Sequence, residues 1–492
     1  LIIINTIFTE GLRFIDDEGR ERIFNGLNFV FKGEKTGFKK INYYPDWERS
    51  LFESLNAKGI NIIRLGLIWD AVEPEPGKYN EKYLDFISGI IDRCYENEIY
   101  VYLDMHQDLY SCLFSDGAPE WATLTDGKKY KEPRFIWAEG YFYKKAVHRA
   151  FDNFWLNKEV DGKGLQDYYC DMWKYISYRF KDKRNIFGFD IMNEPFPGTE
   201  GGKVFRKIVI KAIKTVLLSR EIKTTRLLRD LLNEKKRAEA LSFLDNRIIF
   251  SKIFSAGKEP VRKFDIEAYY PFLEKTATAI REVTQNGIII MENCYYSNIS
   301  IPCSTPKLKY KNGALEPLLC FSPHGYDLTV DSPLANKASN ARIDFIFDEH
   351  KKTQERLGVP VIVGEWGAFN PGENEYPHLE HLLKKFDENK WSQTYWCYQD
   401  GLLEDKILDL LSRPYPKATA GKIESYNYDR RRNIFNMKYI CENENDTVIY
   451  LHKKPREINT SGTYEIKPIK NHESSDLIIK AEKGLNRITV KF

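Results

Sequence analysis

Gly188-Phe189-Asp190-Ile191-Met192-Asn193-Glu194-Pro195 and Pro360-Val361-Ile362-Val363-Gly364-Glu365-Trp366-Gly367 are two short apolar runs that each stop at a glutamate. A charged side chain at the end of a buried strand is costly unless it has a partner or a task. Two such ends, far apart in sequence, point to one site assembled from two strand ends.

On either side of these runs, segments of short buried-strand character recur at 22–30, 61–66, 100–104, 188–192, 287–291, 318–322, 359–364 and 393–397. Helix-length stretches separate most of them, around 47–57, 84–95, 166–180, 271–283, 343–357 and 379–388. Alternation of this kind predicts an α/β fold, a (β/α)8 TIM barrel with its chemistry at the C-terminal strand ends. After about residue 410 the pattern changes. Arg413-Pro414-Tyr415-Pro416 breaks the chain, and short alternating runs follow at 433–440, 447–452, 463–469, 477–481 and 487–492. The expected organisation is a catalytic barrel over 1–410 and a small C-terminal antiparallel β-sandwich over 411–492.

Residues 201–265 are extra material after strand four. Phe205, Ile208, Val209, Ala212, Ile213, Val216 and Leu217 follow helical spacing, which predicts a helical insertion. Residues 203–237 hold twelve Lys/Arg and three acids, a net +9 in a chain of net +3. One reading is a solvated basic face; the other is a surface that attracts anionic lipid head groups.

With 42% hydrophobic and 14% aromatic residues the chain has ample material for a globular core and for flat faces on which sugars stack. The eight cysteines show no Cys-x-x-Cys pair, against a zinc ribbon or redox motif; a local Cys294–Cys303 disulfide stays open. Leu1-Ile2-Ile3-Ile4 reads either as a signal-sequence remnant or as a first strand, and no apolar run is long enough to span a membrane.

Paired strand-end glutamates suit glycoside hydrolysis. Retention of configuration needs one protonated carboxyl, one ionised carboxylate, and about 5 Å between them. Arg64, read as ending strand two, offers the alternative that either glutamate is merely its buried partner. In Leu103-Asp104-Met105-His106-Gln107-Asp108, alternation puts Asp104, His106 and Asp108 on one side, suited to binding sugar hydroxyls. A zinc site uses similar residue types, but no closely spaced second histidine accompanies them. His324 and Tyr326, after strand six, are placed to orient a nucleophile and a bound sugar. Trp396 ends strand eight as an apolar floor or as plain core. Asn193 is set to bond a sugar 2-hydroxyl. The aromatic stretch from Phe135 to Trp155 reads equally as substrate lining or as core.

Asn193-Glu194-Pro195 and Gly364-Glu365-Trp366-Gly367 resemble glycoside hydrolase family 5. Asp104-Met105-His106-Gln107-Asp108, residues 116–122, Phe151-Asp152-Asn153-Phe154-Trp155, residues 192–198 and residues 413–421 resemble endoglycoceramidases within it. The resemblance implies retaining hydrolysis, without metal or cofactor, of the bond between the oligosaccharide and the ceramide of a glycosphingolipid. It implies Glu194 as acid/base and Glu365 as nucleophile. Lys32, Asp104, His106, Trp155, Asn193, Tyr326 and Trp396 would hold substrate; His324 joins them by its place after strand six, and Arg64 is read as structural beside them. Two departures stand out: residues 201–265 are long, and Gly325 replaces an expected aromatic residue.

The alternatives are a glucosylceramidase or steryl-β-glucosidase on the same barrel, an ordinary cellulase, and, from another class, a non-catalytic glycolipid-binding protein. The expected setting is a monomer without nucleic-acid partners, touching a membrane or micelle peripherally, and secreted or in an acidic endomembrane compartment.

Overall fold

Eight parallel strands form one sheet: β1 (Asn25–Phe29), β2 (Ile62–Ile68), β3 (Tyr100–His106), β4 (Ile186–Asp190), β5 (Ile288–Met291), β6 (Leu319–Phe321), β7 (Ile362–Val363) and β8 (Ser392–Tyr395). Hydrogen-bonded neighbours run from β6 through β5, β4, β3, β2, β1 and β8 to β7. A Phe321–Val361 bridge and the parallel pairs His324–Glu365 and Gly325–Trp366 join the two ends, so the sheet closes into the expected barrel. The computed structural model describes residues 4–36, 39–133, 137–218, 229, 236–330, 332, 334–370 and 376–492.

The predicted helices form at Arg49–Ala57, Glu81–Glu96, Leu165–Phe180, Tyr270–Arg281, Asn340–Leu357 and Tyr376–Asn389. Local chemistry sets their ends. The Asn80 side chain accepts from the Tyr83 N–H, and Ser339 accepts from Arg342 N–H. Gly358, at φ 62°, stops the helix that precedes β7.

Three readings need correction. Strands β2 and β3 run further than expected, because Leu67 pairs with Met105 and Ile68 with His106. Arg64 therefore lies inside β2, not at its end. Second, the barrel does not begin at residue 1. Ile7–Glu10, Arg13–Asp16 and Glu21–Arg22 join Tyr415–Thr419, Thr447–Leu451, Ser475–Lys480 and Thr463–Pro468 in a seven-stranded sheet. That sheet packs through Ile449, Leu451, Leu477 and Ile479 against Ile423, Phe435, Met437 and Val490 of a four-stranded sheet. Phe14 of the N-terminal hairpin sits edge-on to Phe24 and Phe187, among the first residues of the barrel strands, so the hairpin plugs the end of the barrel away from the glutamates. Third, Tyr415 and Pro416, read as part of a break at Arg413–Pro416, belong to an inner strand, Tyr415–Thr419. Pro416 is tolerated there because the register shifts between it and Ala418.

The insertion is helical, at Thr199–Leu218, Arg237–Leu241, Arg247–Phe254 and Lys258–Phe264. Its first helix is not simply amphipathic. Val204, Ile208 and Val216 are buried, but Val209, Ile213 and Leu217, expected on the same face, are exposed. The basic residues from Arg220 to Lys235, apart from Arg229, lie outside the described residues, as do Leu1, Ile2, Ile3 and Phe135. Of the aromatic stretch, Tyr141, Phe151 and Phe154 are core, whereas Trp137 and Tyr143 are exposed. Cys294 and Cys303 are both free thiols, so the local disulfide left open by the sequence does not form. No helix among the described residues is long and apolar enough to cross a membrane.

The two domains are tied by Arg413, whose Nη2 donates to Asp387 Oδ1 at 2.5 Å with Asp387 almost wholly buried, and by Tyr415 Oη and Tyr450 Oη, which donate to the Gly59 and Ala57 carbonyls at 2.8 Å. Removing one partner of a buried ion pair strands the other charge. Asp387→Ala is expected to lower the unfolding free energy by about 3 kcal/mol in urea melts. A loss near zero would show that the pair carries no weight in domain docking.

Candidate active site

The C-terminal mouth of the barrel is organised by one arginine. Arg64 on β2 has a side chain with no solvent exposure. Its Nε donates to Asp190 Oδ2 at 2.9 Å, its Nη1 to Glu365 Oε1 at 2.6 Å and to Asn28 Oδ1 at 3.1 Å. Its Nη2 donates to Asn193 Oδ1 at 2.9 Å and Glu292 Oε1 at 2.7 Å, and lies 3.0 Å from Asp104 Oδ1. The parallel register makes this convergence: Asn28 pairs with Arg64, and Asp104 with both Gly66 and Asp190. Arg64 is thus a partner of Glu365, as one reading of the sequence held, and this role coexists with the site.

The two strand-end glutamates do meet. A carboxylate oxygen of Glu194, a ring nitrogen of His324 and a carboxylate oxygen of Glu365 lie within 4.8 Å of one another. His324 Nδ1 is 3.0 Å from Glu194 Oε1 and 3.5 Å from Glu365 Oε2, while its Nε2 is 3.3 Å from Glu292 Oε1. The Tyr326 hydroxyl donates to Glu365 Oε2 at 2.8 Å, and Asn298 Nδ2 donates to Glu194 Oε1 at 2.9 Å. Glycines make room. A Cβ on Gly364 would sit 2.8 Å from His324 Nε2, and one on Gly325 would sit 2.5 Å from the Phe347 ring, which fills the place of the expected aromatic residue.

The environments split the pair. Burial pushes both carboxyls up, since a charge is poorly solvated there. For Glu365 the charges of His324 and Arg64, aided by the Tyr326 hydrogen bond, overcome burial and hold it down to about 2. For Glu194 burial wins over the hydrogen bond and charge of His324, with the negative charges of Glu365 and Glu292 adding, so it is raised. His324 is driven well above its ordinary value because Glu292 and Glu365 outweigh its burial. One carboxyl raised and one lowered, within 4.8 Å, is the split that favours a proton donor beside an ionised nucleophile, as retaining glycoside hydrolysis requires. Both donors to Glu194 fall on Oε1, which leaves Oε2 for the proton.

The remaining predicted residues line one wall. His106 Nδ1 is 2.8 Å from Asp104 Oδ2, and its Nε2 has no hydrogen-bond partner among the described residues. Burial and Lys32 lower His106 to about 3, so the ring is neutral. The Trp396 ring stacks on His106 at 5.2 Å, and Lys32 Nζ stands 5.1 Å from the Trp396 centroid while bonding Asp108. Asn193 Nδ2 donates to the Gln107 carbonyl at 3.0 Å, which leaves the second amide hydrogen. Trp155 does not join this cluster. Its Nε1 donates to the Phe196 carbonyl at 2.8 Å and its ring packs edge-on to Phe264 and Phe272, because the insertion folds over it. The cations that face the clustered carboxylates, Arg64, His324 and Lys32, are the protein's own.

Glu292 was missed from sequence, although the signal was present: Gly287-Ile288-Ile289-Ile290-Met291 is a third apolar run that stops at a glutamate. Its Oε2 accepts the Glu194 N–H at 2.7 Å, holding that residue at φ 43°, a conformation side-chain-bearing residues rarely adopt. Glu292→Gln is expected to lower kcat by about 10- to 100-fold through misplacement of Glu194. It removes a charge that favours protonated Glu194, so the alkaline limb of the pH–rate profile moves to lower pH; an unmoved limb would contradict that coupling.

Residues 25–401 match the family described as Cellulase (glycosyl hydrolase family 5), and residues 413–490 match the glycoside hydrolase family 5 C-terminal domain. An endoglycoceramidase of Cyanea nozakii is 24% identical over 94% of this chain and 87% of its own length. One of Hydra vulgaris is 27% identical over 92% and 81%. The solved structure of endo-glycoceramidase II from Rhodococcus sp. superimposes with a TM-score of 0.72 at 24% identity, covering 98% of this chain and 99% of that one. With the barrel and the terminal sandwich both matched, the chain belongs to glycoside hydrolase family 5.

Proposed function

We propose that this chain is a retaining endo-β-glycosidase that releases the intact oligosaccharide from the ceramide of glycosphingolipids. The observation that carries the reaction type is the split pair, a raised Glu194 beside a lowered Glu365 with oxygens within 4.8 Å. The substrate class is supported by similarity, over most of this chain and of theirs, to proteins named endoglycoceramidases.

In this reading Glu365 attacks the anomeric carbon while Glu194 gives its proton to the glycosidic oxygen, and the ceramide leaves as an alcohol. Glu194, now ionised, takes a proton from water, which attacks the same carbon and frees Glu365. Arg64 and Tyr326 aim the nucleophile through one bond to each oxygen. Asp104, His106, Asn193, Lys32 and Trp396 hold the sugar, with the unpaired His106 Nε2 accepting from a hydroxyl. Peripheral contact with a membrane or micelle and a monomeric state belong to the same reading. A secreted or acidic endomembrane setting belongs to the same reading, and a nucleophile held down to about 2 would stay ionised in an acidic compartment.

Mass spectrometry of products from a ganglioside and, separately, from glucosylceramide tests the substrate. Intact oligosaccharide plus free ceramide is expected; glucose from glucosylceramide alone would move the assignment to a glucosylceramidase. The roles separate on leaving groups. Glu365→Gln is expected to lose about 10⁴-fold or more on every substrate. Glu194→Ala loses about 10²–10⁴-fold on glycolipid and far less on dinitrophenyl glycosides, whose leaving group needs no proton. Equal losses for Glu194→Ala would remove it as the acid. Because Glu365 is lowered from 4.5 to about 2 on folding, it contributes stability above pH 4.5 that is lost as pH falls toward 2. Glu365→Gln should therefore narrow its stability gap to wild type across that interval in thermal melts, and a constant gap would contradict the lowered value.

A further inference from the structure

The helix Thr199–Leu218 has two apolar faces. Val204, Ile208 and Val216 pack inward, together with Gly201. At about 100° per residue, Arg206, Ile210, Ile213 and Leu217 fall on the opposite side. There Ile210 is 44%, Ile213 50% and Leu217 61% exposed, and the terminal Leu218 is 80% exposed. A helix that is apolar away from its own core exposes surface that needs an occupant.

We infer that this outer face docks on the headgroup region of an anionic phospholipid bilayer. Charge selects the occupant. Lys207, Lys211 and Lys214 run along one flank of the apolar stripe, and Arg206 sits within it. The helix's acidic residue, Glu200, lies at its start and is paired with Lys203 at 2.5 Å. Isoleucine and leucine on one face with lysine beside them is the pattern of a helix that lies in a membrane interface, apolar side chains among the acyl chains and ammonium groups at the phosphates. A neighbouring ring extends the surface. Tyr143 is 63% exposed and stands edge-on to Phe205 at 5.5 Å, while Phe142 stacks on Phe205 at 4.2 Å.

The face is tied mechanically to the acid/base. The helix begins five residues after Glu194, Phe196 packs on its Gly201, and the Tyr296 hydroxyl donates to the Gly201 carbonyl at 2.7 Å. Docking here fixes the barrel mouth against the surface from which a glycolipid head group projects. That consequence rests on the proposed function, whereas docking itself does not.

The test is co-sedimentation with phosphatidylcholine vesicles, with and without phosphatidylserine and free of glycolipid, alongside turnover of a soluble aryl glycoside. Wild type is expected to bind the phosphatidylserine vesicles, with binding that weakens as salt is added. The variant Ile210→Ser/Ile213→Ser/Leu217→Ser is expected to bind about tenfold or more weakly with unchanged aryl glycoside turnover. Lys207→Glu/Lys211→Glu/Lys214→Glu is expected to lose the phosphatidylserine preference. Vesicle binding equal to wild type in both variants would overturn the inference. So would sedimentation in buffer showing a wild-type dimer that the serine variant converts to monomer, since a second copy would then cover the face. Because the vesicles carry no glycolipid, failure here leaves the substrate assignment to be judged by its own products.

Discussion

Arg64 is the constraint from which the rest of the site follows. A guanidinium with no exposure and four acidic neighbours, Asp104, Asp190, Glu292 and Glu365, has to be surrounded as it is or left uncompensated. A single cation does not neutralise four carboxylates, so burial pushes Asp104 and Asp190 well above their ordinary values despite Arg64. Glu365 escapes because His324 adds a second positive charge on its other side. The nucleophile's ionised state is therefore a property of the whole cluster, and any change in its charge count alters Glu365 before it alters the fold.

His324 is the hinge of that arrangement. It touches Glu194, Glu292 and Glu365, and its carbonyl accepts from His350 Nε2 at 2.8 Å. Gly364 and Gly325 leave it room, with Phe347 closing the space behind. The sugar-facing wall is built differently. Neutral His106 and the stacked Trp396 offer a flat, weakly charged surface, with Lys32 and its aspartates at the edge. Charge is concentrated where bonds break, and flat faces lie where a ring is held.

The ends of the barrel divide the labour between stability and chemistry. At one end Phe14, Phe24 and Phe187 form an edge-to-face cluster under the N-terminal hairpin, which belongs to the terminal sandwich. At the other, the insertion folds Phe264 over Trp155, beside Phe272 of the barrel helix Tyr270–Arg281, and presents its apolar outer helix face. The sandwich thus braces the barrel from below and leaves the mouth to the loops.

The sequence by itself determined the barrel, the helices between its strands, and the two glutamates, because period, caps and a charge closing an apolar run are local signals. Arg64, His324 and Tyr326 were legible as candidates from their places after or within strands. Their partners were not. Glu292 carried the same local signal as Glu194, but only the closed sheet shows that its oxygens meet Arg64 and the Glu194 N–H. Trp155 carried a family motif, and only the packing of the insertion shows that its ring faces Phe264. Likewise helical spacing grouped Val209 and Ile213 with Ile208, whereas the neighbours of the folded helix decide which side is core. Which carboxyl keeps its proton depends on charges brought together from six strands or strand ends, and that sum exists only in the tertiary structure.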